Sequence, residues 1–218
     1  MQELYTTRSE ELSSIEISKV LRNTYALLAM TIAFSALVST LAIKMNAPYL
    51  GPLITIGVYF GLLFAVEKTK NSATGLFFVF ALTGWLGFTL GPILNYYLHV
   101  SGFEPILMAL GGTALIFFGL SGYILVTRKD MSFATGFLMT GILVAFVAAI
   151  ANIFLKISGL AMAINCMFLF LSSGIIMWQT SQIIHGGERN YISATVTLYV
   201  MLYNIFTILL SFLGGSDD

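Results

Sequence analysis

An all-α, polytopic membrane protein with a bundle of seven transmembrane helices is the fold class this sequence predicts, on three observations. Charged side chains make up only 9% of the 218 residues, against roughly 25% in an ordinary soluble domain. The ten basic and ten acidic residues are gathered at a few points along the chain. Between those points lie charge-free runs at 23–43, 45–66, 71–103, 105–127, 131–155, 157–187 and 190–216. A helix needs about 20 apolar residues to cross a hydrocarbon core of roughly 30 Å, so each run suffices for one crossing. None reaches the ~40 residues that two crossings and a turn require.

The spans expected from these runs are 23–43, 49–66, 75–97, 106–127, 132–155, 158–181 and 191–213. The first follows a polar tail, residues 1–22. In that tail Thr7 and Glu10 have the spacing of a capping box, and Leu12, Ile15, Val20 and Leu21 recur at near-helical spacing. Both a short surface helix and disorder are compatible with that pattern. The first apolar run is too long for a signal-peptide core of about 7–15 residues, so it is expected to remain as a span. The third span carries Gly87-x-x-x-Gly91 just before Pro92, a small-residue face followed by a residue with no N–H to donate. Packing against a neighbouring helix, with a kink or hinge at Gly91-Pro92, is the expectation there. Gly111, Gly112 and Gly119 lighten the fourth span. The fifth, from Phe137 to Ile150, shows no alternation of polar and apolar residues, which argues against a β-barrel strand. It does place Gly141, Ala145 and Ala149 on one face, four residues apart, where another helix can approach closely. Only Lys156 separates the fifth span from the sixth. Burying that ammonium at mid-membrane would cost about 2.5–3.5 kcal/mol, so a turn is expected at this point.

Orientation follows from the distribution of Lys and Arg in short loops. Arg8, Lys19, Arg22, Lys68, Lys70, Arg128, Lys129 and Arg189 fall on the N-terminal side, and Lys44 and Lys156 on the other. Eight against two predicts a cytoplasmic N-terminus. With seven spans, residues 214–218 become a short periplasmic tail.

The chemistry on offer is sparse. No Asp, Glu, Lys, Arg or His lies in the central part of any span, whereas proton relays and ion-coupled transporters usually place such groups there. The polar residues that remain are Asn95, Asn152, Asn165, Gln179, Gln182 and Asn204, which read first as interhelical hydrogen-bonding groups. A retinal-type protein needs a lysine in its last span, and 190–216 contains none. Gly119-Leu120-Ser121-Gly122 matches a G-x-S-G nucleophile loop, but a serine needs a base within reach, and His99 and His185 fall at expected loop positions. Packing is the better reading of that motif. His185 and Glu188 supply two metal ligands at most, and the single Cys166 supplies neither a disulfide nor a cysteine cluster. No phosphate-binding glycine loop is present, and a net charge of zero does not suit nucleic acid. No catalytic residue, cofactor or metal is expected, and the bilayer itself is the expected environment.

Several stretches resemble the Bax-inhibitor (transmembrane Bax-inhibitor-motif) family. They are Gly91-Pro92-Ile93-Leu94-Asn95 and the segment Met108 to Phe118, which contains Gly111-Gly112-Thr113-Ala114. Thr127 to Phe133 and Ile183 to Phe206, including His185-Gly186-Gly187-Glu188 and Leu198-Tyr199, look closer still to one bacterial branch, the modulators of the FtsH protease. The likeness runs from about Lys19 to Leu213. It implies seven helices with a cytoplasmic N-terminus and partnership with FtsH, a membrane-anchored ATP-dependent protease, and with its HflK and HflC companions. Members of that branch look like slowly degraded substrates that occupy the protease. The tail, with Gln2, Glu3, Arg8, Glu10 and Glu11, then becomes what the protease grips. The wider family is also linked to a calcium leak through two carboxylates, whose positions align with Gln179 and Met201 in this chain. Both are uncharged here, which argues against conduction of a hard cation. The alternative reading, an ion leak channel or small-solute transporter, therefore places its pore or gate near Gln179, Met201 and Asn204.

Overall fold

A computed structural model describes the backbone of residues 2–215 and the side chains of residues 15–215. The chain forms α1 (Gln2–Lys44), α2 (Pro52–Thr69), α3 (Ala73–Val100), α4 (Glu104–Thr127), α5 (Thr135–Leu155), α6 (Ser158–Ile184) and α7 (Tyr191–Gly214), with one 3-10 turn, Ser132–Ala134, ahead of α5. Among the described residues, seven helical segments are long and apolar enough to cross a membrane, beginning with Ile15–Lys44 of α1. From Lys44 onward the charged residues that divide the sequence sit at or near helix ends, because a turn keeps them out of hydrocarbon at little cost, whereas Lys19 and Arg22 lie within α1.

Two features of the boundaries go beyond the sequence reading. The polar tail does not stop short of the first span: α1 runs unbroken from Gln2. The side chains of Gln2, Glu3, Arg8, Glu10 and Glu11, and of the Thr7/Glu10 capping-box pair, lie outside the described residues. α3 extends to Val100, so His99 belongs to its last turn rather than to a loop, with Nδ1 bonded to the Asn95 carbonyl at 2.8 Å.

The chain divides into two compact units. The first contains α1, α2, α3 and the segment Glu188–Tyr199, which includes the first turns of α7. Its centre is the approach of α3 to α1, made possible by glycines. A Cβ on Gly87 would stand 2.5 Å from the Ser35 carbonyl oxygen, and one on Gly91 would stand 2.5 Å from the Cβ of Ala42. Real Cβ atoms do not tolerate such distances, so at these two positions glycine permits the contact that the backbones make. Pro92 is accommodated inside α3 without ending it. α2 is held more loosely. Val66 is its one buried residue, and the Trp85 indole of α3 donates to the Thr55 carbonyl at 3.4 Å. The α7 segment is tied in by side chains. Thr195 Oγ1 donates to the Thr24 carbonyl at 3.2 Å, and the Tyr199 hydroxyl donates to Ser35 Oγ at 2.6 Å.

The second unit contains α4, α5 and α6 with α7 from Val200 onward. α5 and α6 pack by a reciprocal exchange of leucine for glycine. Leu171 of α6 lies over Gly141 of α5, and Leu138 of α5 lies over Gly174 of α6, each with a terminal methyl less than 3 Å from where an added Cβ would stand. Both leucines are buried, as is Ala145, while Ala149 is half-buried. α5 ends in a left-handed cap at Lys156 (φ 52°), whose N–H donates to the Asn152 carbonyl at 2.8 Å. The Asn152 side-chain oxygen accepts from the next amide, Ile157 N, at 3.1 Å. One residue thus terminates the helix and fixes the start of the turn, with the Lys156 side chain left exposed.

Candidate functional site

The densest polar arrangement in the second unit lies where the C-terminal end of α6 meets the connection between α4 and α5. Ser181 is at its centre. Its Oγ accepts from the Met131 amide at 2.9 Å and donates to the Lys129 carbonyl at 3.1 Å. One residue on, Gln182 Nε2 donates to Ser132 Oγ at 3.1 Å. Three residues before Ser181, the Trp178 indole donates to Thr135 Oγ1 at 2.8 Å. The helical period brings these three α6 side chains within reach of a single stretch of chain, 129–135, and fastens it at three points.

Asp130 organises that stretch from within. Its Oδ1 accepts from the Ser132 hydroxyl at 2.6 Å and from the Ser132 amide at 2.8 Å. The hydroxyl bond first, then the amide bond and finally the nearby His185 hold its carboxyl below the ordinary aspartate range, against a small opposing effect of desolvation. The turn is therefore built around a carboxylate, and the Arg128 backbone enters it in a left-handed conformation (φ 51°).

Ser, His and Asp side chains gather here, and the serine and the histidine each have a backbone carbonyl as partner. A carbonyl only accepts, so the 2.9 Å contact from His185 Nδ1 to the Ser181 carbonyl places the proton on Nδ1. A protonated Nδ1 cannot accept the Ser181 hydroxyl proton across their 3.3 Å separation; that proton goes to the Lys129 carbonyl. The other serine of interest, Ser121 of the G-x-S-G stretch, is buried and stands 3.4 Å from Thr180 Oγ1. Thr180 spends its own proton on the Ile176 carbonyl at 2.8 Å. Ser121 is thus the donor in a bond that joins α4 to α6.

The three positions considered for a pore all lie in the second unit. Gln179 is 2% exposed and Met201 is buried, while Asn204 is half-buried. The Gln179 amide Nε2 has no hydrogen-bond partner, a costly condition for a polar group out of water. In the first unit, the entry to α7 is shaped by Asn190. Its side-chain oxygen accepts from the Ile192 and Ser193 amides, capping the helix. Its Nδ2 donates to the Lys70 carbonyl at 3.1 Å and to Asn71 Oδ1 at 2.8 Å, which pins α7 to the turn between α2 and α3. Glu188 is engaged by the Asn190 amide at 2.8 Å. Among the described residues no three His, Cys, Asp or Glu side chains form a group that could hold a metal ion.

Sequence reasoning missed the 129–135 clamp and the Asn190 anchor. The polar residues Ser181, Gln182 and Asn190 at helix ends were visible, but their partners are 50 to 120 residues away.

Long apolar helices joined by interhelical hydrogen bonds and capped by polar turns define a multi-pass α-helical membrane protein. Within that class, the chain belongs to the family described as "Inhibitor of apoptosis-promoting Bax1", whose model matches residues 17–218. It is 51% identical to the "Modulator of FtsH protease YccA" of Escherichia coli strain K12, over 98% of this chain and 98% of that protein. The corresponding protein of Escherichia coli O6:H1 carries the name "Inner membrane protein YccA". An uncharacterized protein of Pseudomonas aeruginosa is 50% identical over 100% of this chain and 99% of its own.

Proposed function

We propose that this chain is a non-enzymatic modulator of an FtsH-type protease in the bacterial inner membrane, acting as a slowly degraded, competing substrate and binding partner in membrane-protein quality control. The observation that carries this reading is identity at half of all positions, across 98% of both chains, with a protein named for modulating FtsH. HflK and HflC enter the proposal as companions of the protease. The N-terminal side is taken as cytoplasmic, where eight of the ten basic residues fall.

A physical account fits this reading. The part of α1 ahead of Ile15 offers the ATPase a segment to pull. Pulling then meets α1 locked to α3 by glycine contacts and to α7 by the Tyr199–Ser35 bond. Extraction must break those contacts first, so the protease stays occupied. Deleting Gln2 to Ser18 is expected to abolish degradation while leaving membrane insertion intact; unchanged turnover in that variant would defeat the gripping account. Affinity purification from native membranes tests the function itself. Co-isolation of FtsH with HflK and HflC is expected, and their absence argues against the regulator.

The second reading, a leak channel or small-solute transporter, draws on one observation, the unpartnered amide of buried Gln179. Robust Ca²⁺ flux from proteoliposomes holding the purified protein would favour it over the first.

A further inference from the structure

In the first unit, α2 and the first turns of α7 enclose a groove of about 370 Å³. Phe60, Leu63, Phe64 and Glu67 line it from α2, and Ser193 and Thr197 from α7. Its two ends differ. The Asn190 bonds to Lys70 and Asn71 hold the start of α7 beside the end of α2, so Glu67 and Ser193 mark the end nearest the turn. Phe60 and Thr197 lie deeper along their helices, with Phe60 about two turns, or roughly 10 Å, from Glu67. The deep end presents carbon, because the Thr197 hydroxyl donates back to the Ser193 carbonyl of its own helix at 3.1 Å.

The charges at the shallow end point to an occupant. Glu67 is ion-paired with Lys70, which neutralises the one carboxylate of the lining. Lys68 Nζ lies 4.6 Å from the centroid of the Phe64 ring, one of the rings that line the groove. A groove lined by aromatic and aliphatic side chains over about 10 Å of helix, with an ammonium over one of its lining rings near the charged end, matches an amphiphile carrying an anionic group at one end.

We propose that this groove holds one acyl chain of a glycerophospholipid, with Lys68 set against the lipid phosphate. An acyl chain gains little by leaving other acyl chains, so fit and the phosphate contact decide how long it stays. The leaflet is the one at the Lys68/Lys70 end of α2, which the basic-residue count assigns to the cytoplasm.

Native mass spectrometry of the full-length protein in mild detergent, with added phosphatidylglycerol or phosphatidylethanolamine, tests the proposal. The wild-type protein is expected to retain one phospholipid. Leu63→Trp, which fills the groove, should lose it, while Phe118→Trp on an exposed face of α4 should not. Lys68→Gln should weaken retention of phosphatidylglycerol about fivefold, the equivalent of the roughly 1 kcal/mol that a basic residue contributes beside anionic headgroups. Lys68→Arg should restore it. Equal retention by the wild type, the groove-filled variant and Lys68→Gln overturns the proposal, as does a retained peptide in place of a lipid. Should Leu63→Trp fail to fold, the Lys68→Gln and Lys68→Arg pair decides alone.

Discussion

The Tyr199 hydroxyl of α7 and the Ser35 Oγ of α1, 164 residues apart in sequence, meet in a buried hydrogen bond of 2.6 Å, with the Thr83 carbonyl of α3 a second acceptor at 3.3 Å. One phenol therefore touches three helices in a region where lipid tails give helices little hydrophobic reason to associate. Tyr199→Phe keeps the ring and removes the donor. It is expected to cost about 0.6–1.5 kcal/mol, the range of a net hydrogen bond in membrane and soluble proteins. Ser35→Ala should cost a similar amount, and the double variant little more than either alone. Thermal unfolding in detergent checks this, and strict additivity of the two losses would show that the pair is not coupled.

That bond illustrates what the sequence could and could not disclose. The number of helices was legible because hydrocarbon excludes charge, so Glu67, Glu104, Arg128 and Lys156 mark the turns directly. Gly87 and Gly91 were legible as a face but not as the α1 contact, since spacing names no partner. Tyr199 carries no such signal, because nothing in an apolar helix reveals which hydroxyl reaches across to which. The Gln2–Arg22 segment was ambiguous because its polar composition suits both a solvated helix and a coil. The Ser181 clamp escaped notice because its partners on the chain are the backbone groups of Lys129 and Met131, which have no side-chain signature.

The glycines divide into two groups with opposite expected responses. Gly87→Ala and Gly91→Ala each push a methyl group into α1 and should destabilise by about 1–3 kcal/mol, as overpacking does. Gly57 and Gly111 have nothing within 4 Å of an added Cβ. Alanine there relieves the helix-interior penalty of glycine and should be neutral or stabilising by up to about 1 kcal/mol. Parallel melting curves of the four variants separate the groups, and a loss at Gly57 equal to that at Gly87 would refute the α1–α3 contact as the cause.

Among the described residues, the non-glycine residues Asn46, Arg128 and Lys156 hold left-handed backbone conformations. Asparagine tolerates this region better than lysine does, and glycine occupies it without penalty. Lys156→Gly should therefore stabilise the α5 cap by up to about 1 kcal/mol, and Asn46→Gly by less. Lys156→Ala removes the same charge but keeps the Cβ, so it should bring no gain. A rise in melting temperature for alanine equal to that for glycine would assign the effect to the lysine charge instead of the backbone.

Asp130 supplies a pH dependence whose sign is fixed by its partners. Ser132 bonds its carboxylate twice, and His185 adds attraction, so its folded-state pKa lies below the ordinary 3.8. A group with a depressed folded pKa contributes stability above its unfolded value and loses it as the pH falls through the folded value. The turn at 129–135 should therefore be at full strength at neutral pH and weaken only in the acid range below the ordinary aspartate pKa. Ser132→Ala removes the largest contribution while leaving the amide bond. It should move the Asp130 midpoint upward toward 3.8 without abolishing the remaining depression. The ¹³Cγ shift of labelled Asp130 in nanodiscs reads that midpoint directly. Identical midpoints in the wild type and Ser132→Ala would show that the hydroxyl does not set the carboxylate, and the turn would then owe its shape to the Ser181 and Gln182 bonds.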